Sequence, residues 1–193
     1  MIAVSDIELF VLKSSVIKAE LANALGKTGN EEPLGPKSTM SPLFAQISGD
    51  IRANAEKMAE YYKLFYMLEN DIRSFIDATL TAAHGSGWWS VCAHDSAKAE
   101  RDANRKRELD SGVTARSESP LEYVTFGQLG EIIRKNYAQF GGVLSSEAAS
   151  SRVMYSLNLL RGPIAHCGIL AEDEVARLKL AVMDWFRLLE GPK

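Results

Sequence analysis

Apolar side chains recur along this chain at intervals of three and four residues, the period of an α-helix that buries one face. Ser5-x-x-Glu8 has the form of a capping box, in which each side chain satisfies a free backbone N–H of the other residue. Phe10, Ile17, Leu21 and Leu25 follow on one stripe, with small Ser14 in its gap and Gly26 as a stop. This spacing predicts a helix over residues 6–25. The stretch GKTGNEEPLGPKSTMSP then has the composition of a linker. A second start follows at Ser41-Pro42 or at Gly49-Asp50, and a long helix runs from there to about Ala83. Its stripe is Ile51, Ala55, Met58, Tyr62, Phe65, Glu69, Ile72 and Ile76, a bundle core with one carboxylate in it.

The second half reads the same way. GSGWWS, residues 85–90, is a turn carrying adjacent indoles, Trp88 and Trp89. Residues 97–110 are polar on nearly every face, which fits an exposed helix or a loop. Thr125-x-x-Gln128 is another capping box, followed by Phe126, Leu129, Ile133, Tyr137 and Phe140, and ended by Gly141-Gly142. A helix starting at Ser145 or Ser146 carries Val153, Leu157 and Leu160 and meets Gly162-Pro163, where a break is expected. The last helix starts near Glu172 and buries Val175, Leu178, Val182, Trp185 and Leu189. No segment alternates with period two. The expected fold is therefore all-α, an antiparallel helix bundle with an extra N-terminal helix. Residues 1–45 form the N-terminal helix and linker, and residues 46–193 form the helical domain.

Charge narrows the function only by exclusion. Twenty-two Lys and Arg against 25 Asp and Glu leave a net charge of -3 over 193 residues, with no global basic footprint for nucleic acid. A nucleic-acid role must rest on a local site, and no helix clusters the basic and amide side chains of a DNA groove reader. Cys92 and Cys167 do not make a disulfide framework, and the N-terminus lacks a basic signal-peptide region. No apolar run is long enough for a membrane span. The expected location is cytoplasmic, with no membrane association.

Several motifs fail on their own terms. Gly26-Lys27-Thr28 lacks the earlier glycine and the preceding strand of a phosphate loop, and Ser15-x-x-Lys18 lies inside an amphipathic helix. His84, Cys92 and His94 match no closed zinc spacing, so no metal and no cofactor are expected. The remaining candidate is Arg161 with His166. Five residues apart on a continuous helix they would point about 140° apart; a bend at Gly162-Pro163 would let them converge. Arginine clamps a phosphate in two places, and histidine exchanges protons near neutral pH. The bland alternative is a helix-end histidine beside an arginine that favours the helix dipole. Glu69 needs a basic partner, either Arg73 one turn later or Arg161 or His166 across the bundle.

YYKLFYMLENDIRSFI, GSGWW, LEYVTFGQLGEIIRKNYAQF and LNLLRGPIAHCGIL, in that order over about residues 55–190, resemble HEPN domains, and more narrowly their Swt-type subgroup. The resemblance implies a small HEPN-like helix bundle that forms a homodimer and acts as a metal-independent endoribonuclease on an RNA substrate. It implies Arg161 and His166 as catalytic residues in a cleft shared by two copies, supported by Glu69 and Arg73 from the ENxxR stretch. Asn136 would be a further polar neighbour. A role in phage defence or in a toxin–antitoxin-like system follows, with an antitoxin or defence-system partner protein. Gly162 departs from the pattern, because a polar residue usually follows the motif arginine. That departure keeps open a catalytically inactive module that dimerises or binds a partner, RNA or a nucleotide. Trp88 and Trp89 can stack on bases or serve as core or dimer-contact residues.

Overall fold

A computed structural model describes residues 41–190. The expected helix over residues 6–25 and nearly all of its linker lie outside the described residues. After a short helical turn, Ser41–Phe44, the elements are α1 (Gly49–His84), α2 (Trp88–Cys92), α3 (Asp95–Asp110), a 3-10 turn (Pro120–Tyr123), α4 (Phe126–Lys135), α5 (Tyr137–Phe140), α6 (Glu147–Ala165) and α7 (Glu172–Leu188). The described residues contain no strand, so the architecture is an all-α bundle.

The caps written in the sequence set the helix starts. Thr125 accepts from the Gln128 N–H while Gln128 accepts from the Thr125 N–H, closing the capping box of α4. Ser146 accepts from the Ala149 N–H to start α6. Glu174 accepts from the Ala171 N–H at the start of α7. The Ser145 N–H donates to the Leu188 carbonyl, which ties the beginning of α6 to the end of α7 and fixes the pair as antiparallel.

The core lies where α1, α4, α6 and α7 meet. Ile72, Ile76 and Leu80 of α1 are fully buried with Leu129 and Ile132 of α4 and Leu157 of α6. Phe75 packs edge-on against Phe140 and Trp185, at centroid distances of 5.3 and 6.2 Å. At Gly130 a Cβ would come within 3.2 Å of the Met154 Cβ, so glycine lets α4 and α6 approach closely.

One expectation about α1 is corrected. The stripe is core from Phe65 onward, but Ile51 and Tyr62 are each 61% exposed, Ala55 is exposed, and Met58 is half-buried. The first turns of α1 are exposed, Met58 and Tyr61 pack partly against the core, and full burial begins at Leu64. A stripe reports that a face is apolar; it does not report whether another element reaches it. Residues 97–110 fall within α3, a charged helix docked by buried Ala97 and by Asn104 donating to the Tyr123 carbonyl at 2.9 Å.

Candidate active site

The carboxylate on the apolar stripe is the centre of the site. Glu69 is 7% exposed and pairs with two arginines. Arg73, one turn later on α1, donates through Nη2 to Oε1. Arg161, from α6, donates through Nε to Oε2 at 2.8 Å. The two roles open to Glu69 in sequence, a helical ion pair and an orienting contact across the bundle, are both present. Arg73 is the better anchored arginine: its Nε donates to the Leu121 carbonyl at 3.0 Å, and Nη1 lies 3.8 Å from Glu122 Oε2. It thereby fastens α1 to the 3-10 turn.

Arg161 is held differently. Its Nε is fixed, but among the described residues its terminal nitrogens have no hydrogen-bonding partner. The side chain stays 35% exposed and lines a cleft of about 250 Å³ with Tyr62, Tyr66, Asn70, Arg73 and Glu122. A guanidinium oriented at one edge and open at the other is suited to a phosphate, which takes two parallel N–H bonds. A larger groove of about 650 Å³ runs between α6 and α7, rimmed by Arg152, Arg177 and Arg187. Arg177 and Arg187 are already paired there with Asp173 and Asp184, and no histidine lines it.

The expected break at Gly162-Pro163 does not occur. α6 runs through Pro163 to Ala165. Pro163 forfeits only the backbone bond its own N–H would have made, and the donors after it satisfy the last carbonyls of the helix. The His166 N–H donates to the Gly162 carbonyl at 3.1 Å, and the Gly168 N–H donates to the Pro163 carbonyl at 2.7 Å. The second bond is the long-range bond of a Schellman cap, with Cys167 at φ 58° in the left-handed position usually taken by glycine. At Gly168 a Cβ would sit 3.2 Å from the Pro163 carbonyl oxygen. His166 is thus the cap residue of α6, exposed, with no ring hydrogen bond among the described residues. It does not line the cleft of Arg161. Because the helix is intact, the convergence expected of Arg161 and His166 within one chain is not observed.

A family model for the Swt1-like HEPN domain matches residues 63–190. The chain belongs to the Swt1-like HEPN family. HEPN domains are often ribonucleases, so membership makes this chain a nuclease-like or RNA-binding module. No curated protein and no solved structure matches the chain. The HEPN match begins at residue 63, next to the first buried residue of α1, and covers both Glu69 and the Arg161–His166 segment.

Other residues singled out in the sequence lie elsewhere in the HEPN bundle. Asn136 ends α4 and donates to the carbonyls of Cys92 (3.1 Å) and Ile132 (2.8 Å); it joins α4 to α2 and does not line the cleft. Trp88 is buried and donates to Asp77 Oδ1 at 2.9 Å, so its ring faces are spent on the core. Trp89 meets it edge-on at 5.7 Å and is half-buried. His94 caps α3, its Nδ1 accepting from the Ala97 N–H at 3.1 Å. Burial, and then the positive charge of Lys135, lower its pKa against weaker raising effects from Glu131, Gln128 and Asp95. Among the described residues no three His, Cys, Asp or Glu side chains are grouped to hold a metal, and no helix is long and apolar enough to cross a membrane. Sequence reasoning gave no site role to Tyr62, Tyr66, Asn70 or Glu122. The tyrosines had a usable signal, one turn apart and two turns and one turn ahead of Glu69; Glu122 had none.

Proposed function

We propose that this chain is a metal-independent endoribonuclease of HEPN type, acting in phage defence or in a toxin–antitoxin-like system. The observation that carries the reading is Arg161, turned into a cleft by a buried carboxylate, its terminal nitrogens without a partner among the described residues, on the helix that ends at exposed His166. Neutral imidazole removes the proton from a ribose 2′-OH, and the 2′-oxygen attacks the adjacent phosphorus. Arg161 stabilises the charge that builds on the phosphoryl oxygens. The P–O5′ bond breaks, and a protonated imidazole returns a proton to the leaving 5′-oxygen. The products are a 2′,3′-cyclic phosphate and a 5′-hydroxyl. One chain has one such histidine, and it lies outside the cleft of Arg161. The reading therefore requires a homodimer in which two copies supply the arginine and histidine pairs.

The test is cleavage of cellular RNA in the presence of EDTA by the full chain, by Arg161→Ala and by His166→Ala. Cleavage by the unsubstituted chain alone supports the reading; an unchanged rate in either variant overturns the mechanism. A second reading is a catalytically inactive module that binds RNA, a nucleotide or a partner protein. It is favoured by Gly162, which brings no hydrogen-bonding side chain beside Arg161. It predicts binding without cleavage.

A further inference from the structure

Two aromatic side chains at the cleft are explained neither by the core nor by the charge network. Tyr62 and Tyr66 are one turn apart on α1, 61% and 62% exposed, with ring centroids 6.4 Å apart and planes tilted by 32°. Two other tyrosines are used otherwise: buried Tyr123 donates to the Ser117 carbonyl, and half-buried Tyr137 to that of Leu144. The hydroxyls of Tyr62 and Tyr66 have no partner among the described residues, and both residues line the cleft with Arg161.

Flat apolar rings beside an open guanidinium match the two halves of a nucleotide. The rings take the face of a base, and the guanidinium takes the phosphate. The size of the cleft restricts what enters. About 250 Å³ is below the roughly 300 Å³ at which pockets begin to enclose drug-sized ligands. A cleft of that size is on the scale of a single nucleotide unit and far narrower than a paired helix. Bases inside a duplex hide their faces in the stack; only an unpaired nucleotide presents one.

We propose that Tyr62 and Tyr66 form a stacking subsite for one unpaired nucleobase next to the phosphate held by Arg161. This rests on the ribonuclease reading above and deepens it, because it selects single-stranded segments at the level of binding. Both side chains are exposed, so substituting them leaves the fold intact.

The experiment measures binding of the full chain to a fluorescent unstructured oligoribonucleotide and to a duplex of the same length. It compares Tyr62→Ala, Tyr66→Ala, the two Tyr→Phe variants and Arg161→Ala, with size-exclusion volume followed in parallel. Base stacking predicts that each Ala variant weakens single-strand binding by about 5- to 150-fold while Phe retains it. Ala variants that bind as tightly as the parent, while Arg161→Ala does not, overturn the subsite and leave the ribonuclease reading standing. Phe variants as weak as Ala overturn stacking, because the hydroxyl and not the ring is then needed. Ala variants that change the size-exclusion volume assign the tyrosines to a chain–chain contact and overturn the proposal. Binding of neither RNA by the unsubstituted chain overturns both readings together.

Discussion

Removing the Glu69 carboxylate should cost far more stability than removing Arg161, and the difference measures how the network is divided. In Glu69→Ala, Arg73 is left 14% exposed without its carboxylate. Breaking a buried ion pair from one side costs about 3–5 kcal/mol. Arg73 keeps the Leu121 carbonyl and Glu122, so the loss should fall at the low end, about 3 kcal/mol. In Arg161→Ala, Glu69 keeps Arg73, and the lost contact is one with a guanidinium side chain 35% exposed to water. Solvent screening reduces such a contact to about 1 kcal/mol or less. Urea denaturation of the two variants reads both numbers, and the double variant reads the coupling. The reasoning is refuted if Glu69→Ala costs less than about 1 kcal/mol, or if Arg161→Ala costs as much as Glu69→Ala. The latter would make Arg161 a structural residue and not one held in place for a ligand.

Three further outcomes follow from the geometry. Cys167→Gly should stabilise the protein by up to about 1 kcal/mol, seen as a higher melting temperature, because glycine removes the cost of the left-handed backbone at the cap of α6. Asn136→Ala should lose about 1–2 kcal/mol by removing its two bonds to backbone carbonyls, yet leave RNA binding unchanged; weakened RNA binding in a folded variant would place Asn136 at the site after all. His94 caps α3 as the neutral imidazole, with a folded pKa below the unfolded value near 6.5, so the unfolded chain takes up the proton first. Its stabilisation is complete above pH 6.5 and declines as the pH falls through that value toward the lowered folded pKa. From pH 8 to pH 5 the denaturation midpoint of the parent should fall relative to that of His94→Asn, whose cap does not titrate; a constant difference would contradict the linkage.

The sequence made much of this fold legible because caps and stripes are local. Thr125 with Gln128, Ser146, and the run from Phe65 to Ile76 appear where the pattern put them. Glu69 was visible as a carboxylate on an apolar face, and its need for a cation follows from electrostatics alone. That the cations are both Arg73 and Arg161 was not decided by spacing, since Arg161 is 92 residues away. The exposed start of α1 escaped because an apolar stripe is the same whether or not a neighbour covers it. The course of α6 through Pro163 escaped for a different reason. A proline is disruptive in the middle of a helix, but two residues before its end it costs a single backbone bond, and the Schellman cap at Cys167 and Gly168 closes the helix just after it. With α6 intact, His166 stands at the helix end and does not line the cleft of Arg161.

The central claim is that Arg161 and His166 act on one RNA phosphate from two copies of the chain. The direct measurement mixes Arg161→Ala with His166→Ala, each expected to be inactive alone, and follows RNA cleavage in EDTA. A composite site predicts that the mixture recovers a fraction of the parent activity, because mixed dimers contain one site with both parent side chains. A mixture as inactive as its components, while size exclusion shows that subunits exchange, would contradict the shared site.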